Sequence, residues 1–381
     1  MNKKLKIGVL TQPLQDNYGG LLQAYALKEA LTSLGHDVVI INRQYPVSSK
    51  VKTLAYLLKR KILGKPVNPQ ILLTQKQKKI ISRHTISFRE KYIPHLSHLI
   101  TDNDEMHKLN NLNFNGYIVG SDQCWRPRYS PYIRNYFLDF AKDQNNIKRI
   151  SYAASFGVSD WEFNETDTEI CRELAQQFDA ISVREDSGVK LVEKYLGQKA
   201  VHVIDPTMLL KTEDYIKITT NENVAHSNGD LMTYILDKNE LKQNIIKNIE
   251  TELTFKQFEI LPEKRLNTDK IDNIEKFVYP TPAKWLRGFQ DAKFVITDSF
   301  HGTVFSILFN VPFLVIANKN RGVARFESLL QVFGLKDRLI TDLKEFDFKH
   351  YREKQINWHE VNAQLEKERL KAFGFLKSNL S

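Results

Sequence analysis

The stretch LKIGVLTQPLQDNYGGLLQAYALKEALTSLGHDVVIIN, Leu5 to Asn42, decides the fold class. The apolar run Leu5 to Leu10 predicts a buried strand, Leu21 to Gly35 predicts a helix that ends on its glycine, and Asp37 to Asn42 predicts the next strand. A strand, a helix and a second strand in that order form a β-α-β opening. The loop TQPLQDNYGG then lies at the carboxyl end of the first strand, the edge where open parallel sheets bind ligands. No GxGxxG fingerprint is present in it. Asn17, Tyr18, Gly19 and Gly20 read equally well as a substrate-facing turn and as a plain glycine-rich connection.

The same design recurs along the chain. FNGYIVGSD, RISYAASFG, AISVREDSG and AVHVIDPTMLL each run from apolar residues into small or polar ones, and DLMTYIL, FKQFEIL, AKFVITDSFHG and VPFLVIAN restart the alternation after a polar segment near Lys211 to Asp230. We therefore expect an α/β protein with two Rossmann-like domains facing a cleft. The N-terminal domain is residues 1–210, 211–228 is a linker, 229–360 is the C-terminal domain and 361–381 is a closing helix. Residues 46–107 interrupt the alternation and read as a basic insertion.

With 381 residues, 42% of them hydrophobic, the chain is long enough for two cores. The net charge of +10 suits an acidic substrate, nucleic acid or an anionic membrane about equally. Cys124 and Cys171 form no CxxC pair, so a zinc site and a disulfide framework are both poorly supported, and no carboxylate or histidine cluster has metal-ligand spacing. The N-terminus lacks the pattern of a signal peptide and no run reaches membrane-spanning length, which leaves a cytoplasmic protein as the default expectation. Inside the insertion, Leu54, Leu57, Leu58 and Ile62 share one helical face near Lys52, Lys59, Arg60, Lys61 and Lys65. That pattern fits docking on anionic lipid, but a helix packed on its own domain gives the same spacing and is the preferred reading.

The segment DSFHGTVFSILF, Asp298 to Phe309, follows an apolar strand and leads into a helix, so its first backbone N–H groups favour an anion. Gly302 would let a ligand approach the backbone, Ser299 flanks the turn, and His301 can contact an anion or move a proton near neutral pH. Arg184 is a candidate bidentate anion clamp, against the alternative of a surface ion pair with Glu185 or Asp186. Asp122 is a candidate for activating a hydroxyl or, equally, a cap for the turn after its strand, with Ser121 beside it. Arg321 and Arg325 add positive charge after the strand VPFLVIAN.

Seven segments in one order, NYGGLLQAYAL, GSDQCW, ISYAASFG, SVREDSG, IDPTMLL, DSFHGTVFSI and NRGVARFESLL, resemble the polysaccharide pyruvyl transferase family. Cys124 departs from the pattern, where a larger apolar residue is more familiar, and the insertion at residues 46–107 lies outside the resemblance. The resemblance implies a fold similar to the GT-B glycosyltransferases. It also implies phosphoenolpyruvate as co-substrate rather than a bound cofactor, a sugar or lipid-linked oligosaccharide acceptor, and a pyruvate ketal product. On that reading His301, Asp122 and Arg184 are catalytic. Arg184, Ser299, Gly302, Arg321, Arg325, Asn17, Tyr18, Gly19, Gly20 and Ser121 bind substrate. Activity is expected to be independent of metal, with a peripheral contact at the inner face of the membrane as a further expectation and no nucleic-acid partner. The runner-up is a GT-B nucleotide-sugar glycosyltransferase. A non-enzymatic carbohydrate- or nucleic-acid-binding protein is a third class, disfavoured because few aromatics interleave with the basic stretches.

Overall fold

The computed structural model describes the chain except residues 1–3, 47–53, 55, 57, 61, 64–66, 68, 267, 268, 270, 319–321, 344 and 345, and leaves out the side chains of residues 69, 70 and 350. Two parallel sheets organise it. In the first half, β1 (Lys6–Leu10), β2 (Asp37–Ile40), β3 (Gly116–Val119), β4 (Lys148–Ala154), β5 (Ala180–Val183) and β6 (Val201–His202) stand in the order β2-β1-β3-β4-β5-β6. In the second, β7 (Leu231–Tyr234), β8 (Gln257–Glu259), β9 (Phe294–Thr297), β10 (Phe313–Ile316) and β11 (Leu339–Ile340) stand as β11-β10-β9-β7-β8. The strand pairings that build both sheets are parallel. The six strands expected in the first half and the four in the second are all present, and β11 is an addition.

The order of strands reverses between β1 and β3 in one sheet and between β7 and β9 in the other. Ligands of open α/β sheets bind outside the carboxyl ends of strands at such switch points. One switch point carries the loop from Thr11 to Asn17 and the turn Gly120 to Asp122. The other carries Leu236 and Asp237 opposite Asp298 to His301.

A single apolar cluster runs through both halves and includes Ile7, Leu27, Trp285, Phe305 and Leu376. Tyr18 is fully buried in it, with its ring 5.7 Å from Trp285 and its hydroxyl donating to the Pro280 carbonyl at 2.9 Å. The expected linker is itself folded, because residues 211–228 contain the helix Thr212–Asn221, whose Thr212 hydroxyl donates to the Leu308 carbonyl at 2.7 Å. The closing helix spans Trp358–Leu380 and returns to the first half. There Arg369, largely buried, donates from Nε to the Met208 carbonyl and from Nη2 to the Leu210 carbonyl, each at 2.9 Å.

The insertion does more than interrupt the sheet. Leu96 and Ile100 form parallel bridges to Ile40 and Arg43, which extends the edge beside β2. Helix Arg83–Tyr92 and its flanks tie the two halves together through the Tyr279 N–H to the Ile81 carbonyl at 3.1 Å and through an Arg83–Glu275 ion pair at 2.6 Å. The preferred reading of a helix packed on its own domain fails for Leu54, Leu58 and Ile62, which are 59%, 53% and 83% exposed. Leu57, Lys52, Lys61 and Lys65 lie outside the described residues.

Replacing Arg369 by Met keeps the side-chain volume but strips the buried Met208 carbonyl and the half-buried Leu210 carbonyl of their donors. A loss of about 1–3 kcal/mol is expected in urea unfolding, and an unchanged unfolding midpoint would show that this contact does not hold the closing helix.

Candidate active site at the domain junction

The second-half wall of the site is built by the polar turn after β9. Asp298 is fully buried and accepts from the Leu236 N–H at 2.6 Å, the Asp237 N–H at 3.1 Å and Lys242 Nζ at 2.7 Å, so one carboxylate fixes both loops of the switch point. Ser299 then caps helix Phe300–Leu308, its hydroxyl oxygen accepting from the Gly302 N–H at 3.3 Å. A Cβ on Gly302 would lie 2.3 Å from Thr297 Oγ1. The close approach that Gly302 permits is therefore to a neighbouring side chain, and Ser299 and Gly302 shape the turn rather than present groups outward. His301, on the first turn of that helix, points to the other half of the molecule.

The first-half wall comes from the ends of β3, β5 and β6. Ser121 is fully buried, donating from its hydroxyl to the Ala153 carbonyl at 2.7 Å while its N–H donates to Gln23 Oε1 at 3.0 Å. Its polar atoms hold the turn in place. Asp122 follows with φ +66°, a left-handed conformation that is costly for a residue with a side chain and recurs at functional sites. Its Oδ1 accepts from the Gln123 N–H at 2.9 Å, which is the cap expected as one of its two readings, and also from Arg184 Nη2 at 3.0 Å.

Arg184 sits one residue beyond β5 and is 3% exposed, so the alternative reading, a surface pair with Glu185 or Asp186, does not hold. Its Nη1 donates to Asp205 Oδ2 at 2.7 Å and its Nη2 to Asp122, while its guanidinium carbon lies 4.3 Å from the centre of the Phe300 ring. Arg325 approaches the same ring at 5.4 Å. His301 Nε2 lies 3.6 Å from Asp205 Oδ2 and makes no hydrogen bond among the described residues. Four chain segments thus deliver Asp122, Arg184, Asp205 and His301 to one enclosed place, with Arg325 beside them.

Charge explains how this cluster is tolerated. Burial pushes both carboxyls up, but Arg184 and His301 outweigh it, and Arg325 helps at Asp122, so Asp122 and Asp205 end below the usual carboxylate range. Burial works against the Arg184 cation, but Asp122 and Asp205 beside it hold its pKa above the usual arginine value. Arg325 goes the other way, down to about 10, first through burial and then through the like charge of Arg184. An anion placed between the two guanidiniums would relieve that repulsion. Burial pushes the Cys124 thiol up to about 12, which removes it as a nucleophile at neutral pH.

The loop after β1 completes the site differently from either reading of its sequence. Helix Tyr18–Ser33 begins at Tyr18, so Gly19 and Gly20 are helical rather than part of a turn. A Cβ on Gly19 would fall 2.0 Å from His301 Nδ1, which places this helix start directly against the imidazole. Asn17 is exposed at the cap position without a capping bond. Tyr18 is core, as is Trp125, whose indole donates to the Tyr136 carbonyl at 2.8 Å; neither ring has a face for a sugar. Arg321 lies outside the described residues.

Two residues of the site carry no role in the sequence reading. Asp205, the acid of the segment IDPTMLL, accepts from Arg184 and from the Thr207 N–H and hydroxyl at 3.0 and 2.7 Å. Glu185, fully buried, accepts through Oε1 from the Ser155 hydroxyl and the Phe156 and Gly157 N–H groups at 3.1, 2.7 and 2.9 Å. The signal for both lies in the motifs SVREDSG and IDPTMLL, where an acid stands beside a site cation or directly after a strand. Among the described residues no group of three or more metal-ligating side chains occurs.

The lowered carboxyl pKa values set the acid behaviour. Stability contributed by Asp205 is complete above its ordinary value of 3.8 and is lost as pH falls from there toward the depressed folded value. Asp205→Asn should cost about 3–5 kcal/mol at neutral pH by leaving Arg184 half paired, and should flatten the decline of the urea midpoint below pH 4. A variant with the wild-type acid decline would show that the pairing is energetically silent.

A family model for the polysaccharide pyruvyl transferases matches residues 17–320. No curated protein matches the chain. Among solved structures, Arabidopsis thaliana UGT89C1 superposes with a TM-score of 0.52 at 10% identity, covering 99% of this chain and all of that one. The same plant protein complexed with UDP-L-rhamnose gives 0.53 at 10% identity, covering 99% of each. At that identity the likeness speaks for the fold alone, which is that of the GT-B glycosyltransferases. The match over residues 17–320 takes in Asp122, Arg184, Asp205 and His301 and stops short of Arg325, and the chain belongs to the polysaccharide pyruvyl transferase family.

Proposed function

We propose that the protein transfers the enolpyruvyl group of phosphoenolpyruvate to a sugar of a cell-surface polysaccharide or its precursor, forming a pyruvate ketal. The observation that carries this reading is the meeting of His301 with the Asp122–Arg184–Asp205 group across the domain junction of a chain in this family. The donor carries a phosphate and a carboxylate. Arg184 and Arg325, on the Phe300 ring, supply fixed cations for it, and the start of helix Phe300–Leu308 adds backbone N–H groups.

The chemistry balances with one proton relay. The proton of the first sugar hydroxyl is taken up as its oxygen bonds to C2 of the enol, and a proton is delivered to the methylene carbon, which becomes the methyl group. The second hydroxyl then bonds to the same C2 as the C–O bond to phosphate breaks, and its proton leaves with the phosphate. Asp122 and Asp205 titrate too low to exchange protons readily near neutral pH, whereas His301 has a ring nitrogen free of hydrogen bonds at the same place. We assign the proton relay to His301, and to Asp122 and Asp205 the orientation of Arg184. Charge neutralisation rests on arginine, so turnover is expected to survive a chelator. Gly322 packs directly on the Gly157 carbonyl, where a Cβ would lie 1.8 Å from that oxygen, and we place the opening for the donor at this contact.

The second reading is glycosyl transfer from a nucleotide sugar, favoured by the fold and by the UDP-L-rhamnose named for one structural neighbour. Acceptor-dependent phosphate release from phosphoenolpyruvate separates the two. Under the proposal the protein releases phosphate with an oligosaccharide acceptor, and His301→Gln lowers the rate on the order of 10²–10⁴-fold. Gly19→Ala, which displaces the imidazole, should cost on the order of a hundredfold in turnover while the protein stays folded by circular dichroism. Retained activity in His301→Gln would remove the relay, and acceptor-dependent release of a nucleotide instead of phosphate would favour glycosyl transfer.

A further inference from the structure

The net charge of +10 is concentrated in one place. Residues 46–89 contain eleven Lys and Arg and no Asp or Glu, while the rest of the chain balances 44 basic against 45 acidic residues. Two of the eleven serve the fold, Arg83 in its ion pair with Glu275 and Arg89 donating to the Leu14 carbonyl at 3.3 Å. This arm of the chain is remote in sequence from the site cations Arg184 and Arg325.

The same arm exposes apolar side chains. Residues 54, 56, 58–60 and 62 are helical, and Leu54, Leu58 and Ile62, four apart, fall on one face. They are 59%, 53% and 83% exposed, and Leu63 and Leu72 follow at 51% and 55%. Farther along, Lys76, Lys79, Ile80 and Arg83 line an open depression of about 480 Å³. An apolar stripe bordered by cations and free of acids is the composition of a helix that lies in a lipid–water interface. Nucleic acid or a soluble polyanion would match the charge but would leave the leucines and Ile62 in water.

The arm is also joined to the site. The Ser82 hydroxyl donates to Asp16 Oδ2 at 2.8 Å and the Thr85 hydroxyl to Asp16 Oδ1 at 2.7 Å, and Asp16 directly precedes the helix start that carries Gly19. The arm is thereby tied to the residues just before the helix start that faces His301. Among the described residues no helix is long and apolar enough to cross a membrane, so contact through this face is peripheral.

We propose that the exposed side chains of this segment, Leu54, Leu58, Ile62, Lys76 and Lys79 among them, dock the protein on an anionic membrane surface. Docking stands on charge and exposure alone; its use, presenting the junction to a lipid-linked acceptor, rests on the transferase reading. Co-sedimentation of the full chain with vesicles tests it without any turnover. Vesicles of phosphatidylcholine mixed with phosphatidylglycerol should carry the protein down, vesicles of phosphatidylcholine alone far less, and the bound fraction should fall as salt is added. Lys76→Glu with Lys79→Glu should lower the partition coefficient by roughly fivefold or more for each residue. Leu58→Ser with Ile62→Ser should lower it as well, and both double variants should melt like the parent because their side chains are solvent-facing. The proposal is overturned if the parent stays in the supernatant with the mixed vesicles at low salt. It is overturned equally if the Leu58/Ile62 variant sediments like the parent, which reduces the effect to attraction between charges, or if duplex DNA competes the protein off the vesicles.

Discussion

The buried guanidinium of Arg184, held between Asp122 and Asp205, is the interaction on which the rest of the junction depends. Removing three charges from water costs several kcal/mol for each ion, and only their mutual attraction and the backbone and hydroxyl donors around the carboxylates repay it. The arrangement fixes the ends of β3, β5 and β6 relative to one another. It also presents a carboxylate to His301 from the other half, so the two switch points of the fold meet through electrostatics as well as through the apolar cluster around Tyr18 and Trp285. A fold shared with many glycosyltransferases becomes a particular site through these few groups.

Much of the architecture was legible because buried parallel strands read as short apolar runs, and nearly all of them did here. The two-residue β11 has no periodicity to read. The boundaries of helices moved where tertiary contact decided them, as at Tyr18, where the helix starts early to bring Gly19 under the imidazole of His301.

Legibility of the site was uneven for a physical reason. His301, Arg184 and Asp122 stand out as single residues on strand ends, but their partners are set by which way neighbouring side chains face. Arg184 and its neighbour Glu185 find different partners beyond the end of β5, so the adjacent acid serves the Ser155–Gly157 turn while Asp205, distant in sequence, takes the guanidinium. Ser121, Ser299 and Gly302 look like ligand contacts in the sequence because small polar residues mark both binding loops and tight turns; here their polar atoms and small size are used by the turns. In the insertion the helical spacing was visible, but whether its apolar face was covered depended on the tertiary structure.

Calorimetric titration with phosphoenolpyruvate and, separately, with uridine diphosphate tests the proposal that the junction receives a small donor carrying phosphate and carboxylate. We expect saturable binding of phosphoenolpyruvate that Arg184→Met abolishes in a variant still folded by circular dichroism, and no binding of uridine diphosphate. Saturable binding of uridine diphosphate with none of phosphoenolpyruvate would contradict it.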